Sequence, residues 1–68
     1  MRVRLTEIEY SKEYSAVRVY VQPNIIELDI PDDSIQRNGT DRALYIALSE
    51  KYSPAMAEGI LNANVEIM

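Results

Sequence analysis

Few side chains in this sequence can do chemistry. Its 68 residues hold 11 Asp and Glu, 7 Lys and Arg and five Tyr, with no His and no Cys. Without imidazole, the usual acid/base of neutral pH and the usual transition-metal ligand are both missing; without thiols, neither a disulfide nor a thiolate metal site can form. Carboxylates remain. Glu7 with Glu9, Asp32 with Asp33, and Asp29 are the candidates for general acid/base work, which needs a carboxyl group enclosed by an apolar cleft. Glu7 and Glu9 fall at a surface irregularity, and adjacent Asp residues ahead of a helix are solvated caps. Neither Ser-x-x-Lys nor Gly-x-Ser-x-Gly spacing occurs, so the expectation is a protein that is not an enzyme and carries no cofactor.

Glu27, Asp29, Asp32 and Asp33 place four carboxylates within seven residues, a set that a hard cation could use. They lack the spacing of a calcium loop, and Glu27 and Asp29 read better as cross-strand partners of Tyr20 and Arg18, so no metal is expected. Gly39 and Gly59 are the only glycines, which excludes both phosphate-cradling glycine fingerprints, and Asp41 would repel an anion from the helix start it occupies. Tyr supplies every aromatic ring, at Tyr10, Tyr14, Tyr20, Tyr45 and Tyr52, and this amphipathic side chain suits recognition surfaces. With a net charge of -4, the acids Glu7, Glu9, Glu13, Asp32 and Asp33 together with Tyr10 and Tyr14 form the expected partner-binding set, an anionic margin fitted to a basic surface.

The elements that must position these residues follow from hydrophobic periodicity. Val17, Val19 and Val21 alternate with polar neighbours, as do Ile26, Leu28 and Ile30, and a turn at Pro23 and Asn24 pairs Val21 with Ile26, Val19 with Leu28 and Val17 with Ile30. Val3 and Leu5 keep one parity while Ile8 and Tyr10 keep the other. A bulge near Thr6 and Glu7 restores a single face and makes this segment the edge of a meander. Helical spacing follows: Thr40 as N-cap, a stripe of Leu44, Ala47, Leu48 and Tyr52, then Ser53 and Pro54 closing one helix and opening another that buries Met56, Ala57, Ile60 and Leu61. Residues 31–35 read as one helical turn or a loop with Ile35 inward, and residues 65–68 as a short final edge strand.

The sequence therefore predicts one domain over residues 1–68, of the α+β class: a three-stranded antiparallel meander, two short helices and a C-terminal edge strand, in two layers. The expected core is Val3, Leu5, Ile8, Val17, Val19, Val21, Ile26, Leu28, Ile30, Leu44, Leu48, Ile60 and Leu61. It is small for its chain, so self-association through a sheet edge or helix face is expected to supplement it.

Arg4, Arg18 and Tyr20 belong to the outer sheet face, with Arg2 beside them, but Glu27 and Asp29 complete the same rows and neutralise it, which argues against nucleic acid as a partner. No stretch reaches the ~20 apolar residues of a membrane span, and acids interrupt the N-terminal segment where a signal peptide needs apolar residues; the expected location is the cytoplasm. The functional expectation is an acidic, homo-oligomeric protein-interaction module, a small inhibitor or adaptor of the anti-defence type carried by phages and mobile elements. It would block another protein by occupying its surface. Two alternatives are an oligomer that sequesters a small nucleotide-like ligand between subunits and a sheet-mediated DNA-binding regulator.

Overall fold

Val3 and Leu5 alternate with Arg2, Arg4 and Thr6, and that alternation builds strand β1, Arg2–Tyr10. The structure is a computed structural model and describes residues 1–68. Strand β1 is the middle of a three-stranded antiparallel sheet, between β2 (Ile26–Asp29) and β3 (Ile60–Ile67). Val3 lies between Leu28 and Ile67, and Leu5 between Ile26 and Val65. One sheet face is therefore apolar across all three strands, while Glu27, Arg4 and Glu66 form a row on the other. Met1 extends the β1–β2 ladder by exchanging both backbone bonds with Ile30 (2.6 and 2.7 Å).

Four helices complete the chain: α1 (Lys12–Ser15), α2 (Asp32–Asn38), α3 (Thr40–Lys51) and α4 (Pro54–Gly59). The apolar sheet face packs on α3 through Ala43 and Leu48 and on α4 through Met56, with Ile30 and Tyr14 closing the cluster. This is a two-layer α+β fold. The helix starts follow local chemistry. The Ser53 hydroxyl accepts from the Met56 N–H with Pro54 at the first helical position, and the Ser11 hydroxyl accepts from the Tyr14 N–H. Gly39, at φ 82°, turns the chain sharply between α2 and α3 and takes the cap position expected of Thr40, which instead begins the helix. No helix is long and apolar enough to cross a membrane.

The strand order corrects the expected meander. Residues 17–21 form no strand and no hairpin with β2; they belong to the connection between α1 and β2. β1 is the central strand rather than an edge, and the strand expected from residues 17–21 is replaced by β3. The physical reason lies in the two edges of β1. With β2 on one, β3 on the other and Ala43, Leu48 and Met56 of the helices over its apolar face, β1 buries Val3 and Leu5 to 1% exposure each, whereas a meander starting at β1 would put these two residues on a bare edge strand.

Val17, Val19, Val21 and Leu61, expected in the core, are accordingly exposed, and Tyr14 and Ala43 are buried in their place. The expected bulge is present where the alternation changes phase: register shifts between Thr6 and Glu9, and Glu7 takes a left-handed φ of 51°. It faces β3 rather than residues 17–21. The helical turn expected after Ile30 runs to Asn38, with Ile35 packed against the core.

Candidate functional site

The ten residues from Ala16 to Ile25 carry no helix or strand, yet three tyrosines hold them in place. Tyr14 stacks on Tyr10 (ring centroids 5.3 Å apart) and on Tyr20 (4.7 Å), each pair within 18° of parallel. The Tyr14 hydroxyl donates to the Val21 carbonyl at 2.5 Å, and the Tyr10 hydroxyl donates to the Pro23 carbonyl at 2.7 Å. Two phenols, one from the end of β1 and one from α1, thus pin the connection at two carbonyls, those of Pro23 and Val21. Burial raises the Tyr10 phenol to about 12, with Tyr14 and Tyr52 nearby adding to the effect. Burial also pushes Tyr14 up, with Tyr20 contributing. Both remain protonated donors across the physiological range.

Pinned this way, the connection turns its β-branched side chains outward. Val19 is 84% exposed, and Val21 and Ile25 are also exposed. A shallow groove beside them is lined by Glu13, Tyr14, Val17, Tyr20, Glu58 and Gly59. Glu7, Glu9 and Glu13 are exposed and make no salt bridge, and Glu58 meets only the Tyr45 hydroxyl at 3.3 Å.

The expected binding set divides into two places. Asp32 sits 3.2 Å from the Met1 ammonium, and Asp33 holds Arg37 at 2.7 Å. Both lie at the start of β1, while Glu9 and Glu13 lie at its far end, roughly 25 Å along an extended strand. A single anionic margin is therefore not formed. Tyr14 is also not a surface residue; it is 5% exposed and belongs to the core, while Tyr10 is half-buried. Arg18 and Tyr20, expected on the outer sheet face, lie in the connection instead, and their places opposite Asp29 and Glu27 are taken by Arg2 and Arg4. Arg4 reaches the Glu27 carboxylate at 3.0 Å and Arg2 at 3.8 Å, so the cations of that face are already paired.

A polar cleft of about 720 Å³ between β2, α2 and α3 contains Arg2, Arg37 and Lys51; Arg37 pairs with Asp33 at 2.7 Å, Arg2 lies 3.8 Å from the Glu27 carboxylate, and Lys51 donates to the Glu27 backbone carbonyl at 2.7 Å. No three carboxylates converge closely enough to hold a metal ion, so Glu27, Asp29, Asp32 and Asp33 remain dispersed. Tyr10, Tyr14 and Tyr20 stack on one another rather than standing open as plates for a base.

The second apolar exposure is at β3 and the residue after it, where Leu61, Val65, Ile67 and Met68 are uncovered. Val65 and Ile67 point to the helix side of the sheet, but the helices stop short of this strand. They leave a groove of about 460 Å³ between α3 and β3, walled by Leu44, Tyr45, Leu48 and Ala63. Sequence reasoning missed the exposed connection and the groove beside β3. Residues 17–21 have the pattern of a buried strand, and nothing in that pattern distinguishes a pinned loop from a paired one. Residues 65–68 did read as a final edge strand, but β3 begins earlier, at Ile60, and nothing local showed that its covered neighbour would be β1. No protein family, curated protein or solved structure matches this chain.

Proposed function

We propose that this protein is a non-enzymatic binding module, a small inhibitor or adaptor, that docks residues 17–25 into an apolar cleft of a partner protein whose rim is basic. One observation carries the reading: β-branched side chains that would ordinarily be buried stand exposed on a connection fixed by the Tyr10 and Tyr14 phenols. Fixing an apolar segment before contact lowers the ordering cost of binding, and exposed apolar patches of this kind mark interaction sites. The charge around the segment selects the partner. Glu7, Glu9, Glu13 and Glu58 outnumber Lys12 and Arg18 at this end of the molecule, and the first three are free of ion pairs. A basic rim would be steered toward them and would gain most at low salt.

A photo-crosslinking residue at position 19, in cells where the chain is naturally made, is expected to link the protein to one partner that the same residue in place of Gln36, on the exposed side of α2, does not reach. Val19→Asp should abolish that capture. Stability should change by no more than about 0.5 kcal/mol, because the side chain has almost no contacts to lose. Unchanged capture by Val19→Asp, or turnover of any substrate by the pure protein, would overturn the reading.

A further inference from the structure

The two outer edges of the sheet are treated differently. On β2 the edge is short and guarded: Glu27 and Asp29 flank it, and the Lys51 ammonium takes the Glu27 carbonyl at 2.7 Å. On β3 the edge runs eight residues with Glu66 as its one charge, and nothing covers it. The hydrogen-bond phase shows which groups are free. The Met68 N–H donates to the Arg2 carbonyl, so Met68, Glu66 and Asn64 face β1 in alternation, and the backbone groups of Ala63, Val65 and Ile67 face outward. The same three residues carry the side chains on the incompletely covered helix side.

We propose that a second copy of this chain occupies this edge, β3 pairing antiparallel with its own counterpart about a two-fold axis at Val65 to make one six-stranded sheet. The strand is self-complementary in the way such an axis requires. A two-fold at Val65 sets Val65 against itself, Ala63 against Ile67 and Asn64 against Glu66, and each outward donor meets an outward acceptor. Apolar side chains meet apolar ones on the helix side, and the one charge never faces its own copy, which a two-fold at Glu66 would force. An edge alone is narrower than the roughly 800 Å² per partner of a stable interface. The groove between α3 and β3 supplies the remainder, because both copies carry their helices on the same side of the joined sheet and the incoming Val65 and Ile67 lie beside it.

Sedimentation of the full chain tests this. At roughly 100 μM the expected mass is twice 7.8 kDa. Val65→Pro removes an outward N–H and leaves the β1 ladder intact, and Val65→Lys adds a like charge at the axis; each should raise the dissociation constant by about tenfold or more while the circular dichroism spectrum is kept. As the chain lacks Cys, Val65→Cys supplies a single thiol that should oxidise to a linked dimer, whereas Gln36→Cys should not. A monomeric wild type overturns the proposal, whatever other strand the edge accepts. So does a dimer that Val65→Lys leaves intact, or one in which Val65→Cys fails to link.

Discussion

The Tyr14 ring accounts for the glycine at position 59. A Cβ there would lie 2.6 Å from the ring's Cγ and 2.9 Å from its Cβ, closer than packed atoms approach. Alanine would gain up to about 1 kcal/mol of helix propensity, but displacing a buried ring costs about 1–3 kcal/mol, so the ring decides the sign. Gly59→Ala is therefore expected to lower the denaturant midpoint, and a raised midpoint would show that the ring can move aside freely. Tyr14→Phe separates the ring from its hydroxyl. It keeps the stack and deletes the bond to the Val21 carbonyl, at a cost of about 1 kcal/mol, and should speed amide exchange across residues 16–25 before it affects the sheet. The raised Tyr10 phenol adds a pH dependence with a definite sign. An unfolded tyrosine loses its proton near pH 10 and this one near about 12, so the folded state holds more protons in between. Stability from this group is fully present below pH 10 and falls as pH rises toward about 12. Tyr10→Phe should flatten that decline in a series of urea titrations across the alkaline range.

Elements whose beginnings are encoded in neighbouring residues were legible in the sequence. Ser53 and Pro54 announce α4 because a hydroxyl acceptor and a preset φ satisfy the first turn without tertiary help; removing the acceptor in Ser53→Ala should cost about 1 kcal/mol by thermal or chemical unfolding. The phase change between Leu5 and Ile8 likewise reported the bulge in β1, because parity is a local property. At that bulge Glu7 holds a left-handed φ of 51°, which glycine adopts without steric strain, so Glu7→Gly should be neutral or stabilise by up to about 1 kcal/mol despite losing a side chain. The choice of neighbour for β1 was not legible. Residues 17–21 and residues 63–67 both alternate, and only the whole chain decides which of them reaches the second edge of β1. The stack of Tyr10, Tyr14 and Tyr20 fixes the connection elsewhere, so the competing segment was read as core and the loop it forms went unseen. Of the candidate site, the free acids Glu7, Glu9 and Glu13 could be read directly, while the apolar segment they accompany was assigned to the interior.

At the scale of the whole molecule, the distribution of covered and uncovered apolar groups sets the last expectation. Nine side chains form the buried cluster, and nine large apolar residues remain exposed, within residues 17–25 and along β3 to the C-terminus. A chain this short has little surface to spare, and without Cys to form a disulfide its monomer depends on a narrow core. Coupling folding to association makes stability depend on protein concentration, because the paired state is drawn forward by mass action and the unfolded state is not. The melting temperature of the wild type should therefore rise with each tenfold increase in concentration, whereas that of Val65→Pro should stay level. Val19→Asp provides the contrast. Residues 17–25 are reserved for a foreign partner in the proposed function, so that variant should keep the wild-type concentration dependence while losing capture. If both variants remove the dependence, the two surfaces form one interface and the division of labour between them is wrong; if neither does, the β3 edge is not where copies meet.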